Sequence, residues 1–202
     1  MNIVFDFGNV LVRWEPERMF ADLFEGDEAR YWSFWRHVCP LEWRNRIDAG
    51  EDIATCIAEQ QRLFPDYAEA IARYDTRWEE ALTGEVEGMR ELVQHLLDRG
   101  EHPVYGLTNW SMETFPKARR RFPVLQLIDR YVVSGDVRLV KPDPRIFRLL
   151  LERYGLRAEE TLFIDDNGDN VAAAQRLGMH GIRFTTAENL KCELRTQYNI
   201  IL

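Results

Sequence analysis

Carboxylate side chains follow two short, mostly apolar segments of this chain. Asp6 comes directly after residues 1–5, and Asp165 and Asp166 come directly after residues 161–164. An acid at the end of a buried strand is costly unless another group pairs with it. Two strands that end in acids therefore suggest a divalent cation between them. Ligation by oxygen atoms from few carboxylates suits Mg²⁺, which usually keeps waters and a substrate phosphate in its shell.

Other polar residues lie at or near the ends of further apolar segments. Thr108 and Asn109 follow residues 104–107, and Lys141 stands in the stretch Val-Lys-Pro-Asp-Pro a few residues after a third segment. The carboxyl ends of parallel strands meet at one edge of a sheet, where such folds bind ligands. We therefore expect an acid, a hydroxyl, a cation and an acid pair to gather at this edge.

These residue types suit attack on phosphorus. The carboxylate of Asp6 can act as a nucleophile and form an aspartyl phosphate. A cation between Asp6 and Asp166 would screen the repulsion between that nucleophile and an anionic substrate. Lys141 adds a compact positive charge, and the hydroxyl of Thr108 and backbone N–H groups can hold phosphate oxygens.

Composition excludes several classes of partner. The chain has 202 residues, 46% hydrophobic and 30% charged, with a net charge of −8. This acidic balance argues against a nucleic acid or an anionic membrane as the main partner. We expect a small phosphorylated metabolite as substrate, and a monomer or homodimer.

The cysteines and the N-terminus bear on the compartment. Cys39, Cys56 and Cys192 are widely spaced and predict neither a disulfide framework nor a zinc site. A reducing cytoplasm fits this usage. The start of the chain lacks a basic region and is interrupted by Asp6, so it does not resemble a signal peptide, and no apolar run approaches the roughly 20 residues of a membrane span.

The apolar pattern predicts an α/β fold. Short segments rich in β-branched and aromatic residues are typical of buried parallel strands, and they occupy residues 2–6, 103–108, 130–134, 161–165 and 180–184. Helical patterns lie between the later ones, at 86–99, 111–121, 144–154 and 168–178. Alternation of strand and helix predicts a doubly wound, Rossmann-like parallel sheet.

Residues 15–84 interrupt this alternation. They contain no clear strand, and they carry helical patterns at 16–24, 27–38, 41–49, 51–63 and 66–80 with many aromatic residues. We predict a core domain of residues 1–14 and 85–202 and an inserted, all-helical cap domain of residues 15–84. An insert after the first strand lies above the carboxyl edge of the sheet, which suits a lid over a site. Four residues are candidates to face that site: Trp14, Arg44, Arg46 and Trp110. Packing under the cap is an equal alternative for the two tryptophans, and burial preference favours a solvated position for the two arginines.

Four sequence motifs, in this order, resemble those of the haloacid dehalogenase-like hydrolase superfamily. They are Phe5-Asp6-Phe7-Gly8-Asn9-Val10-Leu11, Leu107-Thr108-Asn109, Lys141-Pro142-Asp143-Pro144 and Phe163-Ile164-Asp165-Asp166-Asn167-Gly168-Asp169-Asn170. The helical insert after the first motif is similar to the branch with a cap at that position (subfamily IA). Within it, the chain looks closest to phosphatases acting on glucose 1-phosphate and to the N-terminal phosphatase domain of mammalian epoxide hydrolase.

The resemblance implies a role for each residue of the predicted site. Asp6 would be the nucleophile, Thr108 and Asn109 would hold phosphate, and Lys141 would be both a catalytic charge and a phosphate ligand. Asp6, Asp166 and the carbonyl of Gly8 would bind Mg²⁺. Asp165 would support the metal site, as would Asn170, which stands where many members carry a further acid.

The chain departs from the family pattern at Gly8. Typical phosphatases of the superfamily carry there an aspartate that acts as general acid and base, which is help worth roughly 10²–10⁴-fold. The glucose 1-phosphate-type relatives share this glycine, and a sugar 1-phosphate leaves more easily than a simple alcohol. The sequence offers no replacement acid.

Three functions remain open on the sequence alone. The first is a Mg²⁺-dependent phosphatase of a small phosphomonoester, with a sugar phosphate among the candidate substrates. The second is a metal-free 2-haloacid dehalogenase that uses Asp6, although Asp165 and Asp166 replace the Ser-Ser of those enzymes and do not suit a metal-free site. The third is a non-catalytic binding protein that kept the fold, because fold does not fix function.

Overall fold

A computed structural model of the chain, describing residues 1–24 and 26–201, contains a five-stranded parallel sheet and a two-stranded antiparallel ribbon. The strands in chain order are β1 (Asn2–Phe5), β2 (Val12–Trp14), β3 (Leu82–Glu85), β4 (Val104–Thr108), β5 (Tyr131–Val133), β6 (Thr161–Asp165) and β7 (His180–Arg183). The five predicted strands are confirmed within one or two residues at each end.

Strand β1 lies in the middle of the parallel sheet, whose order is β5-β4-β1-β6-β7. Strand β1 pairs with β4 on one side, Phe5 opposite Gly106, and with β6 on the other, Phe5 opposite Ile164. The chain adds β4 and β5 on one side before it crosses to β6 and β7 on the other. Such a reversal of direction opens a crevice at the carboxyl edge, where ligands of α/β sheets bind.

Both faces of the sheet are covered, as the doubly wound prediction requires. Ile3 and Phe5 of β1 belong to one buried cluster, and Val4 between them belongs to a second. Side chains of a strand alternate between its two faces, so each cluster lies on a different face. The continuous apolar sequence of β1 follows from this two-sided burial.

Twelve α-helices accompany the strands in the described part of the chain. In chain order they are α1 (Ala21–Phe24), α2 (Glu28–His37), α3 (Leu41–Asp48), α4 (Ile53–Leu63), α5 (Ala68–Thr76), α6 (Met89–Arg99), α7 (Phe115–Arg121), α8 (Pro123–Gln126), α9 (Ser134–Val137), α10 (Pro144–Tyr154), α11 (Gly168–Arg176) and α12 (Ala187–Tyr198). Short 3₁₀ turns occupy Pro16–Phe20, Pro65–Tyr67, Trp78–Ala81 and Ala158–Glu160.

The ends of α10 show how local sequence defines an element. The side chain of Asp143 accepts a hydrogen bond from the backbone N–H of Arg145, with Pro144 at the first helical position. Aspartate is preferred before a helix because its side chain accepts a hydrogen bond from a free backbone N–H of the first turn. Proline is preferred at the first position because it lacks the N–H that would remain unbonded there. Gly155 ends the helix in the left-handed conformation, at φ +63°. The predicted range 144–154 is therefore confirmed.

Helices α1–α5 form the inserted cap and bury their own apolar cluster, which includes Phe20, Phe34, Trp43, Ile71 and Tyr74. The predicted α/β core with a helical cap is confirmed. Its division at residues 14 and 84 stays a prediction.

One expectation for residues 15–84 is wrong, because strand β3 begins within them and pairs antiparallel with β2. Three- and four-residue strands are too short to show a periodicity of their own. The ribbon carries the chain from the sheet into the cap and back. In addition, helix α12 is not among the predicted helices.

Within the described residues, no helix is long and apolar enough to cross a membrane. The predicted cytoplasmic location and the monomer or homodimer stay predictions.

Candidate active site

Asp6 lies where β1 ends, at the centre of the carboxyl edge of the sheet. Its backbone N–H donates to the carbonyl of Ile164 on β6 at 2.9 Å, which continues the strand pairing by one residue. Its Oδ1 accepts hydrogen bonds from the backbone N–H of Phe7 at 2.6 Å and lies 2.9 Å from Nζ of Lys141. The side chain is thus held at one oxygen, and among the described residues nothing donates a hydrogen bond to the other.

Lys141 connects three strand ends with a single buried ammonium group. Its Nζ lies 2.9 Å from Asp6 Oδ1 and 2.7 Å from Asp165 Oδ2, and it donates to the carbonyl of Leu107 at 2.9 Å. The lysine is 3% exposed. A buried ammonium group needs such partners, because burial without them strongly disfavours the charge.

Asp165 is completely buried, and its hydrogen bonds account for both of its oxygens. Besides Lys141, it accepts from the backbone N–H of Asn167 at 2.8 Å and from Nδ2 of Asn170 at 3.1 and 3.0 Å. Asp165 therefore positions Lys141 rather than offering a free oxygen to the cavity. Oδ1 of Asn170 is also buried, and it has no hydrogen-bond partner among the described residues.

Asp166 is the half-buried neighbour that faces the opening. Its Oδ2 accepts a hydrogen bond from Nδ2 of Asn9 at 3.3 Å. Asn9 has a left-handed backbone, at φ +55°, and its Oδ1 accepts from the N–H of Trp14 at 2.9 Å. Carboxylate oxygens of Asp6, Asp165 and Asp166 lie within 4.8 Å of one another, a spacing that can hold a metal ion.

The charges of this cluster do not balance. Three carboxylates face one ammonium, which leaves an excess of two negative charges when all are ionised. The pKa of Asp6 is raised to about 8, chiefly by burial and also by the charges of Asp165 and Asp166, while Lys141 opposes the rise. Burial also raises the pKa of Asp166, with a contribution from Asp165. A divalent cation would remove the excess, so the donor set fits one in number, type and charge.

The pKa of Lys141 is raised although the side chain is buried. Burial alone would lower it, but the adjacent carboxylates of Asp165 and Asp6 outweigh burial and raise it. The lysine is therefore a permanent positive charge at this edge of the sheet.

Thr108 and Asn109 lie at the end of β4, beside the same edge. Thr108 is the last strand residue and is 1% exposed. The amide of Asn109 is engaged with the backbone of Lys141: its Oδ1 accepts from the N–H at 2.8 Å, and its Nδ2 donates to the carbonyl at 3.0 Å. Asn109 thus holds the loop that carries Lys141.

A cavity of about 200 Å³ lies between this cluster and the cap. Its floor includes Asp6, Gly8 and Asp166. Seven wall residues are apolar or aromatic: Trp14, Leu41, Ile47, Ile53, Tyr74, Trp78 and Trp110. Five are polar or charged: Arg44, Asp48, Asn109, Ser111 and Thr114, with Asn9 near the floor.

Of the four candidates, Trp14, Arg44 and Trp110 line this cavity, so the favoured solvated position is wrong for Arg44. Arg46 is not among the lining residues, which agrees with the solvated position favoured for it. Its guanidinium pairs with Glu51 and Glu59 at 2.6 and 2.7 Å instead. Residues 44 and 46 lie on different sides of α3 because successive residues of an α-helix are 100° apart.

The cap contacts the core closely at the end of α3. Oγ of Ser134, just beyond β5, donates to the carbonyl of Asp48 at 2.5 Å. The N–H of Ile53 donates to Oε1 of Glu113 at 2.9 Å. Gly50 has a left-handed backbone, at φ +87°, and a Cβ there would lie 2.4 Å from the carbonyl oxygen of Gly135. The backbones can approach this closely only because residue 50 has no side chain.

The structure places all eight predicted residues at or near the carboxyl edge of the sheet: Asp6, Gly8, Thr108, Asn109, Lys141, Asp165, Asp166 and Asn170. Their roles stay predictions. Sequence reasoning missed nine of the sixteen residues that line the cavity, and Asn9 and Asp48 are the two that bear most on its chemistry. Asn9 stands inside the first motif. Its hydrogen bonds to Asp166 and Trp14 join residues that only the folded structure shows to be neighbours. Asp48 is one of many acids in the cap, and no sequence signal distinguishes it.

Known proteins resemble this chain in sequence or in fold. The family signature of haloacid dehalogenase-like hydrolases matches residues 1–178. Sesquiterpene phosphatase astK of Aspergillus oryzae is 33% identical over 198 residues, which cover 95% of this chain and 93% of that protein. (S)-2-haloacid dehalogenase 4A of Burkholderia cepacia is 25% identical over 83 residues, 41% of this chain and 36% of that protein.

Two further curated relatives are much longer, since the match spans only 18% and 11% of their lengths. Among solved structures, the enzyme bt-2542 of Bacteroides thetaiotaomicron, in complex with magnesium and inorganic phosphate, superimposes with a TM-score of 0.70. The alignment has 21% identity and covers 92% of this chain and 94% of that one. At 21% identity, this similarity shows a shared fold and does not assign a function.

Proposed function

Because this chain belongs to the haloacid dehalogenase-like hydrolase family, we propose that it is a Mg²⁺-dependent phosphatase that cleaves a phosphate monoester through an aspartyl phosphate on Asp6. The observation that carries this proposal is the position of Asp6, held 2.9 Å from Lys141 beside Asp166 at the floor of the cavity. A nucleophilic carboxylate, a fixed cation and a second free acid are the groups that phosphoryl transfer requires, because its catalysis is mainly positioning and charge.

Each residue of the cluster has a separate task in this proposal. The oxygen of Asp6 without a hydrogen bond attacks phosphorus while the other oxygen stays bound to the Phe7 N–H and Lys141. Lys141 offsets charge on the nucleophile and on the transferred phosphoryl group. Asp165 and Asn109 keep that lysine in place from its two ends. The hydroxyl of Thr108 is offered to a phosphate oxygen.

Asp6, Asp166 and the carbonyl of Gly8 would hold Mg²⁺, which would supply charge to counter the phosphate. The three acids suit such an ion because they leave an excess of two negative charges beside Lys141. Asn170 would serve the outer part of this site, since its buried Oδ1 has no other partner among the described residues. A water molecule bound to the ion could satisfy it.

The cavity walls favour a substrate whose alcohol part is largely apolar. Trp14, Trp78, Trp110 and Tyr74 contribute aromatic surface, and three aliphatic residues join them on the cap side. Aromatic and aliphatic wall surface of this kind binds the apolar part of a ligand, while the polar groups fix its orientation. A relative that matches almost the whole chain is a sesquiterpene phosphatase, so we propose an isoprenoid-like or other apolar phosphomonoester. A sugar phosphate stays the alternative substrate.

The 2-haloacid dehalogenase is the second candidate reaction, since a relative with that name matches part of the chain. Asp6 would then attack carbon in place of phosphorus. The acid cluster weighs against this reaction, because its net negative charge would repel a carboxylate substrate in the absence of a metal ion. A non-catalytic binding role is the third candidate.

Phosphate release from a panel of isoprenoid, sugar and nucleotide monophosphates tests the proposal, with Mg²⁺ or with EDTA. We expect turnover only with Mg²⁺, fastest on an apolar ester, and none in Asp6→Asn. Turnover that persists in a pure Asp6→Asn preparation would exclude Asp6 as the nucleophile. Halide release from 2-chloropropionate in EDTA would favour the dehalogenase, and ligand-induced thermal stabilisation without any turnover would favour the binding protein.

A further inference from the structure

The proposed reaction lacks a proton donor on the core side of the cavity. Gly8 occupies the position where phosphatases of this type carry an acid. Of the three acids that line the cavity, Asp6 is the proposed nucleophile and Asp166 a proposed metal ligand. The third is Asp48, which comes from the cap at the end of α3. It lines the same cavity as Asp6 and Asp166, and it is close enough to Lys141 for the charge of that lysine to act on it.

We propose, on the basis of the phosphatase function above, that Asp48 is the general acid and base of this enzyme. The cap thus supplies the group that Gly8 does not. The carboxyl protonates the leaving alcohol and afterwards receives a proton from the attacking water.

The core domain fixes the position of Asp48. The carbonyl of Asp48 accepts a hydrogen bond from Oγ of Ser134 at 2.5 Å, and the same Oγ accepts one from the N–H of Trp110 at 2.8 Å. Two residues later, Gly50 packs directly on the backbone of Gly135. These contacts tie the end of α3 to the ends of β4 and β5. A catalytic group needs such support because small displacements of it cost much of the rate.

The side chain of Asp48 is free to exchange a proton. It is half-buried, and no group among residues 1–24 and 26–201 donates a hydrogen bond to its carboxylate. The charged or titratable groups that act on it are Arg44 on its own helix, Tyr74 on α5 and Lys141 on the core. Tyr74 stays neutral near pH 7, because burial raises the pKa of its hydroxyl.

The environment of Asp48 suits proton transfer near neutral pH. Burial raises its pKa to about 7, and the positive charges of Arg44 and Lys141 only partly oppose this. Both the protonated and the ionised form are then abundant at pH 7. General acid–base catalysis is most effective when the pKa lies near the working pH.

The two steps balance in atoms and charge. In the first, Asp6 attacks phosphorus, the bond from phosphorus to the ester oxygen breaks, and the carboxylic acid of Asp48 gives its proton to that oxygen. In the second, the carboxylate of Asp48 takes a proton from water as the water oxygen attacks the phosphorus of the aspartyl phosphate. The bond from phosphorus to Asp6 breaks, phosphate leaves, and both acids return to their initial states.

The test compares two substrates that differ in the need for a proton donor. Octyl phosphate has a poor, strongly basic leaving group, and 4-nitrophenyl phosphate has one that leaves without protonation. For Asp48→Asn we expect octyl phosphate turnover to fall by about 10²–10⁴-fold. We expect 4-nitrophenyl phosphate to give a rapid burst of nitrophenolate, followed by slow turnover because the second step lacks its base.

A matched control and a rescue variant separate chemistry from structure. Asp66→Asn makes the same change at an exposed position of the cap and should leave both rates unaltered. Gly8→Asp combined with Asp48→Asn should recover octyl phosphate turnover at least tenfold. The new side chain has room, because no atom lies within 4 Å of a Cβ at residue 8.

The unaltered protein provides a test that does not depend on a variant folding. Octyl phosphate turnover should decline above about pH 7 as Asp48 ionises, while the nitrophenolate burst should not. Octyl phosphate turnover within threefold of normal in Asp48→Asn, or the absence of any difference between the two pH profiles, would overturn the proposal. Failure of the phosphatase function itself is distinguishable, because it would abolish Asp6-dependent phosphate release from both substrates in the unaltered protein.

Discussion

Nζ of Lys141 lies 2.9 Å from the carboxylate of Asp6, and both side chains are almost completely buried. The lysine comes from the loop after β5 and the aspartate from the end of β1, so the pair joins two distant parts of the chain. In the proposed reaction, Lys141 contributes through the positive charge that it holds beside the nucleophile Asp6. Its integrity also matters for the fold, because Asp165 depends on the same ammonium group.

Replacing Lys141 with methionine should therefore damage both stability and activity. It leaves two buried carboxylates without their cation, and removing one partner of a buried ion pair typically costs about 3–5 kcal/mol. Urea unfolding in the absence of Mg²⁺ measures this loss. Lys117→Met at an exposed position is the control and should change stability by less than about 0.5 kcal/mol. Equal stability of the two variants would contradict the assigned role of Lys141.

Magnesium should stabilise the folded protein through Asp166. An ion that binds only the folded state adds about 2.7 kcal/mol at a concentration of 100 times its Kd. We expect the melting temperature to rise with Mg²⁺ in the unaltered protein and in Asp169→Asn, which changes an exposed acid of the same motif. Asp166→Asn should lose most of this rise. An undiminished rise in Asp166→Asn would place the ion elsewhere.

Alanine at Gly50 should disturb the contact between cap and core. A Cβ there meets the carbonyl of Gly135 at 2.4 Å, in addition to the strain of a left-handed backbone. Gly155→Ala is the matched control, because residue 155 has the same type of backbone and no atom within 4 Å of the added Cβ. Strain alone costs about 1–2 kcal/mol, so chemical denaturation should show a larger loss for Gly50→Ala.

The same pair of variants should differ in catalysis. Gly50→Ala displaces the turn that follows Asp48 and should lower kcat/KM, whereas Gly155→Ala, at the far end of α10, should leave it near normal. A kcat/KM of Gly50→Ala equal to that of its control would show that catalysis does not depend on the contact between Gly50 of the cap and Gly135 of the core.

Asp48→Asn should stabilise the protein increasingly as pH rises. The pKa of Asp48 is about 7 in the folded state, whereas an unperturbed aspartate, as in the unfolded chain, has a pKa of 3.8. A carboxyl with a raised pKa binds its proton more tightly when folded, so its contribution to stability is lost as pH rises from about 4 to 7. Asparagine does not ionise and escapes this loss.

The melting temperature of Asp48→Asn should therefore exceed that of the unaltered protein by a growing margin between pH 5 and pH 8. A difference of 1 kcal/mol corresponds to about 2–4 °C for a chain of this size, and we expect a margin of a few degrees at pH 8. A margin that is constant with pH would show that Asp48 titrates normally in the folded state.

The sheet and the acid cluster were predictable because local sequence determines both. Strands buried on two faces must be apolar throughout, and the segments ending at Asp6 and Asp165 show this directly. The motif residues lie next to strand ends, so parallel pairing alone brings them together. The limits of α10 follow in the same way from Asp143 and Gly155.

Other parts of the structure depend on contacts that no local pattern shows. The β2–β3 ribbon is too short to have a periodicity. Along α3, Leu41, Arg44 and Asp48 share the helix face that meets the cavity, whereas Arg46 lies on another face. Each of these faces carries an arginine, so only the packing of the cap shows which arginine meets the cavity. Helix α12 is different: its buried Ala187, Leu190 and Leu194 follow helical spacing, so its pattern was present in the sequence.

Direct detection of the phosphoryl group on Asp6 is the measurement that tests the account most closely. The enzyme would be mixed with Mg²⁺ and 4-nitrophenyl phosphate, quenched in acid within the first turnover and treated with borohydride, which reduces an acyl phosphate to an alcohol. Peptide mass spectrometry should then find homoserine at residue 6, only when substrate is present and more abundantly in Asp48→Asn. Rapid phosphate release with an unmodified residue 6, or with the label on another residue, would contradict the account.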